Sequence, residues 1–199
     1  SQLTLSLKLP ETGQNSITLQ PLEGSAQDCA LQGSNGLLLF SLPEEKHLYM
    51  TCPTMKSFQA PPDTNVFQLA PDTTYHLQGT IGITGGTVQL WLIEYSSESR
   101  LTHTRISLKT GPADLRWQTH QKHQNMVLAL RLSGTGCLLF QNLAISEAQP
   151  APQEANDSAP LRRDRIAQAY LGLWGGTETQ EKSRRRMHWM AGQVSGKDI

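Results

Sequence analysis

The chain has 199 residues, 37% of them hydrophobic and 17% charged, with 17 Lys and Arg against 17 Asp and Glu for a formal net charge of zero. That is enough apolar material for one ordinary core, and too balanced a charge for general binding of nucleic acid or another polyanion. The charge is unevenly spread: residues 1–150 hold nine Lys and Arg against eleven Asp and Glu, and residues 151–199 hold eight against six.

The first element is the cleanest. Leu3, Leu5, Leu7 and Leu9 alternate with Thr4, Ser6 and Lys8, and period two means a half-buried strand. Pro10 and Thr12-Gly13 close it. Further strands are predicted over 17–20, 37–42, 47–52, 74–83, 87–95, 101–108, 115–119, 126–132 and 138–146. Between them lie clusters such as Pro61-Pro62-Asp63 and Thr84-Gly85-Gly86, the latter read as a hairpin turn, and Ser133-Gly134-Thr135-Gly136, read as a strand connection. Short strands at regular spacing with no amphipathic helix among them predict an all-β, jelly-roll-like antiparallel sandwich over residues 1–147.

Alternation assigns the faces. Tyr75, Leu77, Ile81 and Ile83, then Val88, Leu90 and Leu92, then Thr104, Ile106 and Leu108, then Met126, Leu128, Leu130 and Leu132 point to the core. His76, Gln78, Gln89, Trp91, His103, Arg105 and Arg131 point the other way.

The texture changes at Glu147. Residues 148–159 are a polar Pro/Ala linker. Residues 160–199 are predicted to hold two short helices: one over 161–174 ended by Gly175-Gly176, and one over 178–193 opened by the Thr177/Gln180 capping box. No apolar run is long enough for a transmembrane helix. The N-terminus shows no basic and apolar leader pattern. Cys29, Cys52 and Cys137 lack metal or disulfide spacing and sit beside apolar residues, which predicts buried thiols in a reducing compartment. The expectation is a cytoplasmic protein, at most peripheral to an inner membrane.

Few residues carry chemistry. There is no phosphate loop, no nucleophile elbow and no H-E-x-x-H helix, so no catalytic or metal-binding residue is assigned. His120 and His123 fit a solvated loop better than a metal site. Glu94 and Glu98 fit surface carboxylates better than an acid–base pair. Trp117 reads as core. Trp91 is the exception, because it falls on the polar face with Gln89, His76, Arg105 and Arg131. Sugars present apolar C–H faces to flat rings while planar amides and guanidinium groups take their hydroxyls. These five residues are therefore the candidate glycan-binding set.

Two stretches resemble known families. Y-H-L-Q-G-T-I, V-Q-L-W-L-I-E-Y, L-R-W-Q-T-H and L-A-L-R-L-S-G-T-G-C-L-L-F-Q-N-L-A-I-S-E, all between Tyr75 and Glu147, resemble the β-sandwich modules, similar to carbohydrate-binding modules, attached to bacterial polysaccharide enzymes. L-G-L-W-G-G, R-R-R-M-H-W-M and V-S-G-K-D-I, between Tyr170 and Ile199, look like the lead-in to a class I S-adenosylmethionine-dependent methyltransferase. The resemblances imply a non-catalytic glycan-recognition module in front of a methyltransferase or glycosyltransferase that builds a bacterial surface polysaccharide. No cofactor is expected within these residues, and S-adenosylmethionine is expected in a domain after Ile199. The alternative is a structural module without a sugar ligand, forming a homo-oligomer or docking onto its own C-terminal domain.

Overall fold

The computed structural model describes residues 2–25 and 28–148. They form nine strands and no helix: β1 (Leu3–Leu9), β2 (Gly13–Pro21), β3 (Ala30–Gly33), β4 (Leu37–Ser41), β5 (His47–Cys52), β6 (Thr74–Tyr95), β7 (Arg100–Ser107), β8 (Gly111–Gln118) and β9 (Asn125–Glu147). The expected linker and C-terminal helices lie outside the described residues. Among the described residues, no helix is long and apolar enough to cross a membrane.

Two very long strands organise the molecule, and here the structure corrects the sequence reading. Thr84-Gly85-Gly86 is not a hairpin turn, and Ser133-Gly134-Thr135-Gly136 is not a connection. Both lie inside strands, β6 of 22 residues and β9 of 23, and they face each other: Thr84 pairs with Cys137, Gly85 with Gly136 and Thr87 with Ser133. The register shifts between Gly85 and Thr87. Gly85 and Gly86 have φ of 70° and 61°, the left-handed conformation that a bulge uses to bend a strand without ending it. The glycines therefore turn both strands together rather than reversing either.

Each long strand serves two neighbourhoods. The first half of β6 lies between β8 and the end of β9, as in Leu77 opposite Leu115 and Ile145. Its second half lies between β7 and the start of β9, as in Trp91 opposite Arg105 and Ala129. β9 also pairs with β5, with β4 and, in parallel, with β1 at Leu7–Leu143. Since β1 pairs β2 and β2 pairs β5, the sheet returns on itself. The pairing is antiparallel apart from the β1–β9 contact and a Thr4–Asn35 bridge.

One main core fills the folded-over sheet. Leu3, Leu5, Leu7 and Leu9 are all at most 4% exposed, and each contributes roughly 2 kcal/mol by burial. A one-residue slip of β1 would expose the whole row, so its register is strongly held. Val88, Leu90 and Leu92 meet Met126, Leu128, Leu130 and Leu132 in the same core, as alternation predicts, and Trp117 joins them at 5% exposure. Ile83 and Ile106 are only partly buried against this core. A smaller cluster of Met55, Ile93, Tyr95, Val127 and Ala129 lies on the opposite side of β6 and β9. The segment after the cis Cys52–Pro53 bond covers it: Phe58 packs there, and its carbonyl accepts a hydrogen bond from Tyr95 Oη at 3.0 Å.

The cysteine expectation holds only for Cys52. Cys29 and Cys137 are half-buried: Cys29 lies just before β3 against the rim of the main core, and Cys137 lies in β9 opposite the exposed Leu39 of β4.

Candidate functional site

The outward face of β7, β6, β9 and β5 follows from register. One row runs Ser107, Gln89, Arg131, Tyr49, and the next runs Arg105, Trp91, Ala129, Thr51. Side chains directly opposite on one face of an antiparallel sheet touch, so four of the five candidate residues come together. Trp91 Nε1–H donates to Gln89 Oε1 at 3.3 Å, and Arg131 Nη1–H donates to the same oxygen at 3.4 Å. The Arg105 guanidinium carbon stands 5.3 Å from the centre of the Trp91 ring, within cation–π range.

His76 does not join them. It lies fifteen residues earlier on β6, beyond the glycine bend, and forms an ion-pair contact with Asp114 of β8. Alternation puts His76 and Trp91 on nominally similar faces. It carries no information about the bend that places them at opposite ends of a 22-residue strand.

The structure adds two residues in place of His76. The exposed His103 ring stacks on Trp91 with centroids 4.9 Å apart and planes at 23°. Arg100 Nη2–H donates to His103 Nδ1 at 3.1 Å. Because arginine only donates, Nδ1 is the acceptor, and the proton of the neutral ring sits on Nε2. Partial desolvation, then the nearby Arg100 and Arg105 charges, hold the His103 imidazole below the usual histidine range. His103 was legible as an outward residue two positions from Arg105. Arg100 was not, because a register irregularity at Glu94/Tyr95 brings it opposite Tyr95.

Trp91 itself is half-buried, resting on the smaller apolar cluster. Next to Arg131, Tyr49 packs edge-on against Phe58 at 5.2 Å and 74°. The site is therefore a shelf: apolar and covered on the Phe58 side, cationic and open on the β7 side.

A second polar group is buried, and this corrects the reading of Glu94 as a surface carboxylate. Glu94 is 2% exposed and His123 is 4% exposed. His123 Nδ1–H donates to Glu94 Oε2 at 2.8 Å, and the backbone N–H of His120 donates to the same oxygen at 2.8 Å. The loop at His123 is thus sealed rather than solvated, while His120 and Glu98 are exposed as expected. Among the described residues, no three His, Cys, Asp or Glu side chains gather as a metal site would require. A cavity of about 310 Å³ lies elsewhere, between β1, β2 and the end of β9 near Thr4, Asn35 and Asn142, and holds none of the candidate residues.

No family model matches the chain, and no curated protein matches it. Solved structures with a similar fold include a family 16 carbohydrate-binding module, at 13% identity and a TM-score of 0.38, covering 66% of this chain and 85% of that one. The accessory secretory proteins 1, 2 and 3 of Streptococcus pneumoniae give 13% identity and a TM-score of 0.44, over 64% of this chain and 92% of that chain. A glycosylation-associated protein complex of Streptococcus agalactiae gives 10% and 0.45, over 78% of this chain and 49% of that chain. At these scores the likeness carries no argument about what the present chain binds.

Proposed function

We propose that residues 1–147 are a non-catalytic glycan-recognition module, with the Trp91 shelf as its binding face. The observation that carries the reading is the convergence of Gln89, Trp91, Arg105 and Arg131, with His103 and Arg100, on one exposed sheet surface. Flat rings beside planar donors are the combination that sugar recognition uses. Among the described residues, the large apolar side chain that is most open to solvent is Leu39 on β4, away from the shelf. A dry protein interface over Trp91 is therefore less well supported than a sugar.

The module's role in a larger protein is to hold a polysaccharide near a methyltransferase-like or glycosyltransferase-like domain and so raise its local concentration. That part rests on the Tyr170–Ile199 sequence pattern alone. It is tested by whether the natural chain past Ile199 continues into a strand ending in an acidic Gly-rich loop. The binding part is tested on a glycan array and by calorimetry, with Trp91→Ala and His103→Ala as controls. His103 is exposed, so its replacement tests binding without disturbing the apolar cluster under Trp91. Saturable binding lost in both variants supports the reading, and no saturable binding of any oligosaccharide at millimolar concentration rejects it.

A further inference from the structure

We infer that the ligand of this shelf is an acidic glycan, with sugar carboxylates held by the guanidinium groups of Arg105 and Arg131. The inference rests on the glycan reading above and names the ligand class.

Three observations carry it. The first is what the shelf offers to solvent. A neutral sugar wants an open aromatic face, but the Trp91 indole is half-buried, stacked by His103 and flanked by Arg105. The groups left outermost are a guanidinium and an imidazole, both planar and both hydrogen-bond donors.

The second is charge. None of the positions facing outward on β5, β6, β7 and β9, between His47 and Thr51, Thr87 and Tyr95, His103 and Ser107, and Asn125 and Ser133, is Asp or Glu. Glu94 belongs to the inward set and is sealed against His123. Neither Arg105 nor Arg131 has a carboxylate partner among the described residues. The one hydrogen bond the structure gives Arg131 is a long contact to a neutral amide. Arg105 and Arg131 thus place positive charge on a stretch of sheet that supplies no counter-charge, in a chain whose net charge is zero, while Arg100 stands at its edge two residues from the exposed Glu98.

The third is spacing. Arg105 and Arg131 lie two strands apart, about 10 Å across the sheet, so the pair addresses a stretch of oligosaccharide rather than a single ring. A guanidinium fork grips a flat carboxylate with two parallel N–H donors. A uronate repeats such a group along the chain, and its plane can extend the Trp91–His103 stack, which a tetrahedral sulfate does not.

Isothermal titration of the full 199-residue chain with a hexuronic acid tetrasaccharide, its carboxyl-reduced neutral counterpart and a sulfated neutral tetrasaccharide tests this. The uronate is expected to bind at least about tenfold more tightly than either of the others, and to weaken as salt is added. Arg105→Gln and Arg131→Gln should each lower uronate affinity about tenfold, and so narrow its advantage over the neutral sugar measured on the same variant. Arg105 is exposed, so R105Q reads binding even if R131Q fails to fold. Equal affinity for uronate and neutral sugar would overturn the acidic ligand and leave the glycan reading standing. A sulfated sugar that matches the uronate would overturn the carboxylate assignment. Silence from all three would overturn the acidic ligand, and the glycan reading falls with it only if the glycan array is silent as well.

Discussion

Glu94 and His123 meet across a separation of 29 residues, with the imidazole Nδ1–H donating to the carboxylate at 2.8 Å and both side chains buried. The same carboxylate oxygen accepts the His120 N–H, so one side chain at the end of β6 ties down the whole loop between β8 and β9. His123 Nε2 has no hydrogen-bond partner among the described residues. Breaking a buried pair of this kind strands its other member, at a cost of about 3–5 kcal/mol. Glu94→Ala and His123→Ala should each lose stability on that scale in urea titrations. Glu94→Gln should lose less, because an amide oxygen still accepts from His120. If E94A unfolds at the same urea concentration as the parent, the pair does not clamp the loop.

The His103 imidazole makes stability depend on pH. Its folded pKa lies below the ordinary 6.5, so the unfolded chain binds the proton more readily than the folded one. The stabilising contribution is therefore complete above about pH 6.5 and is lost as pH falls through the lowered folded value. His103 is exposed, so the effect is small and sensitive to salt. A proton NMR titration should place His103 below a typical histidine, and Arg100→Gln should move it back up by removing one of the two charges. A titration midpoint at or above 6.5 in the parent would contradict the Arg100 and Arg105 environment described here.

The bend of β6 and β9 depends on glycine. A Cβ at Gly86 would stand 2.7 Å from Phe40 Cε2 and 2.9 Å from the Ser133 carbonyl oxygen, at a φ of +61°. Gly86→Ala should cost at least about 1–2 kcal/mol from the backbone conformation alone, with the contacts adding to it. Gly24→Ala is the control, since its φ is also positive, at +76°, while nothing lies within 4 Å of its Cβ. Equal thermal midpoints for the two variants would mean that close approach at the bend is unimportant.

The three thiols should differ in reactivity. Burial pushes the Cys52 thiol up to about 11, partly offset by a backbone hydrogen bond from Thr18. Since the thiolate is the reacting form, iodoacetamide at pH 8 should leave Cys52 unmodified in the folded protein while half-buried Cys137 reacts slowly. Peptide mapping after timed quenching reads this directly. Early labelling of Cys52 would show that β5 opens locally.

Much of the fold was legible. The β1 leucines, the even-numbered row from Val88 to Leu92 and the row from Met126 to Leu132 were assigned to the core from alternation alone, and they are there. The same parity marks Glu94 as inward, because it continues the Val88, Leu90, Leu92 row. Its carboxylate argued for the surface, and the loop that brings His123 onto it is a contact no local pattern announces. Of the five outward residues singled out, Gln89, Trp91, Arg105 and Arg131 lie together on one face, while His76 pairs instead with Asp114.

Side-chain direction within a strand is a two-residue property, so composition and alternation were enough to indicate an all-β architecture for the described residues, their core rows and the outward Trp91. Where a strand bends, which strand lies beside it and what faces what across that pairing depend on contacts between residues far apart in the chain. The Gly85–Gly136 crossing, the Trp91–His103 stack and the Glu94–His123 seal all arise from such contacts. They therefore became visible only when the strands were laid side by side.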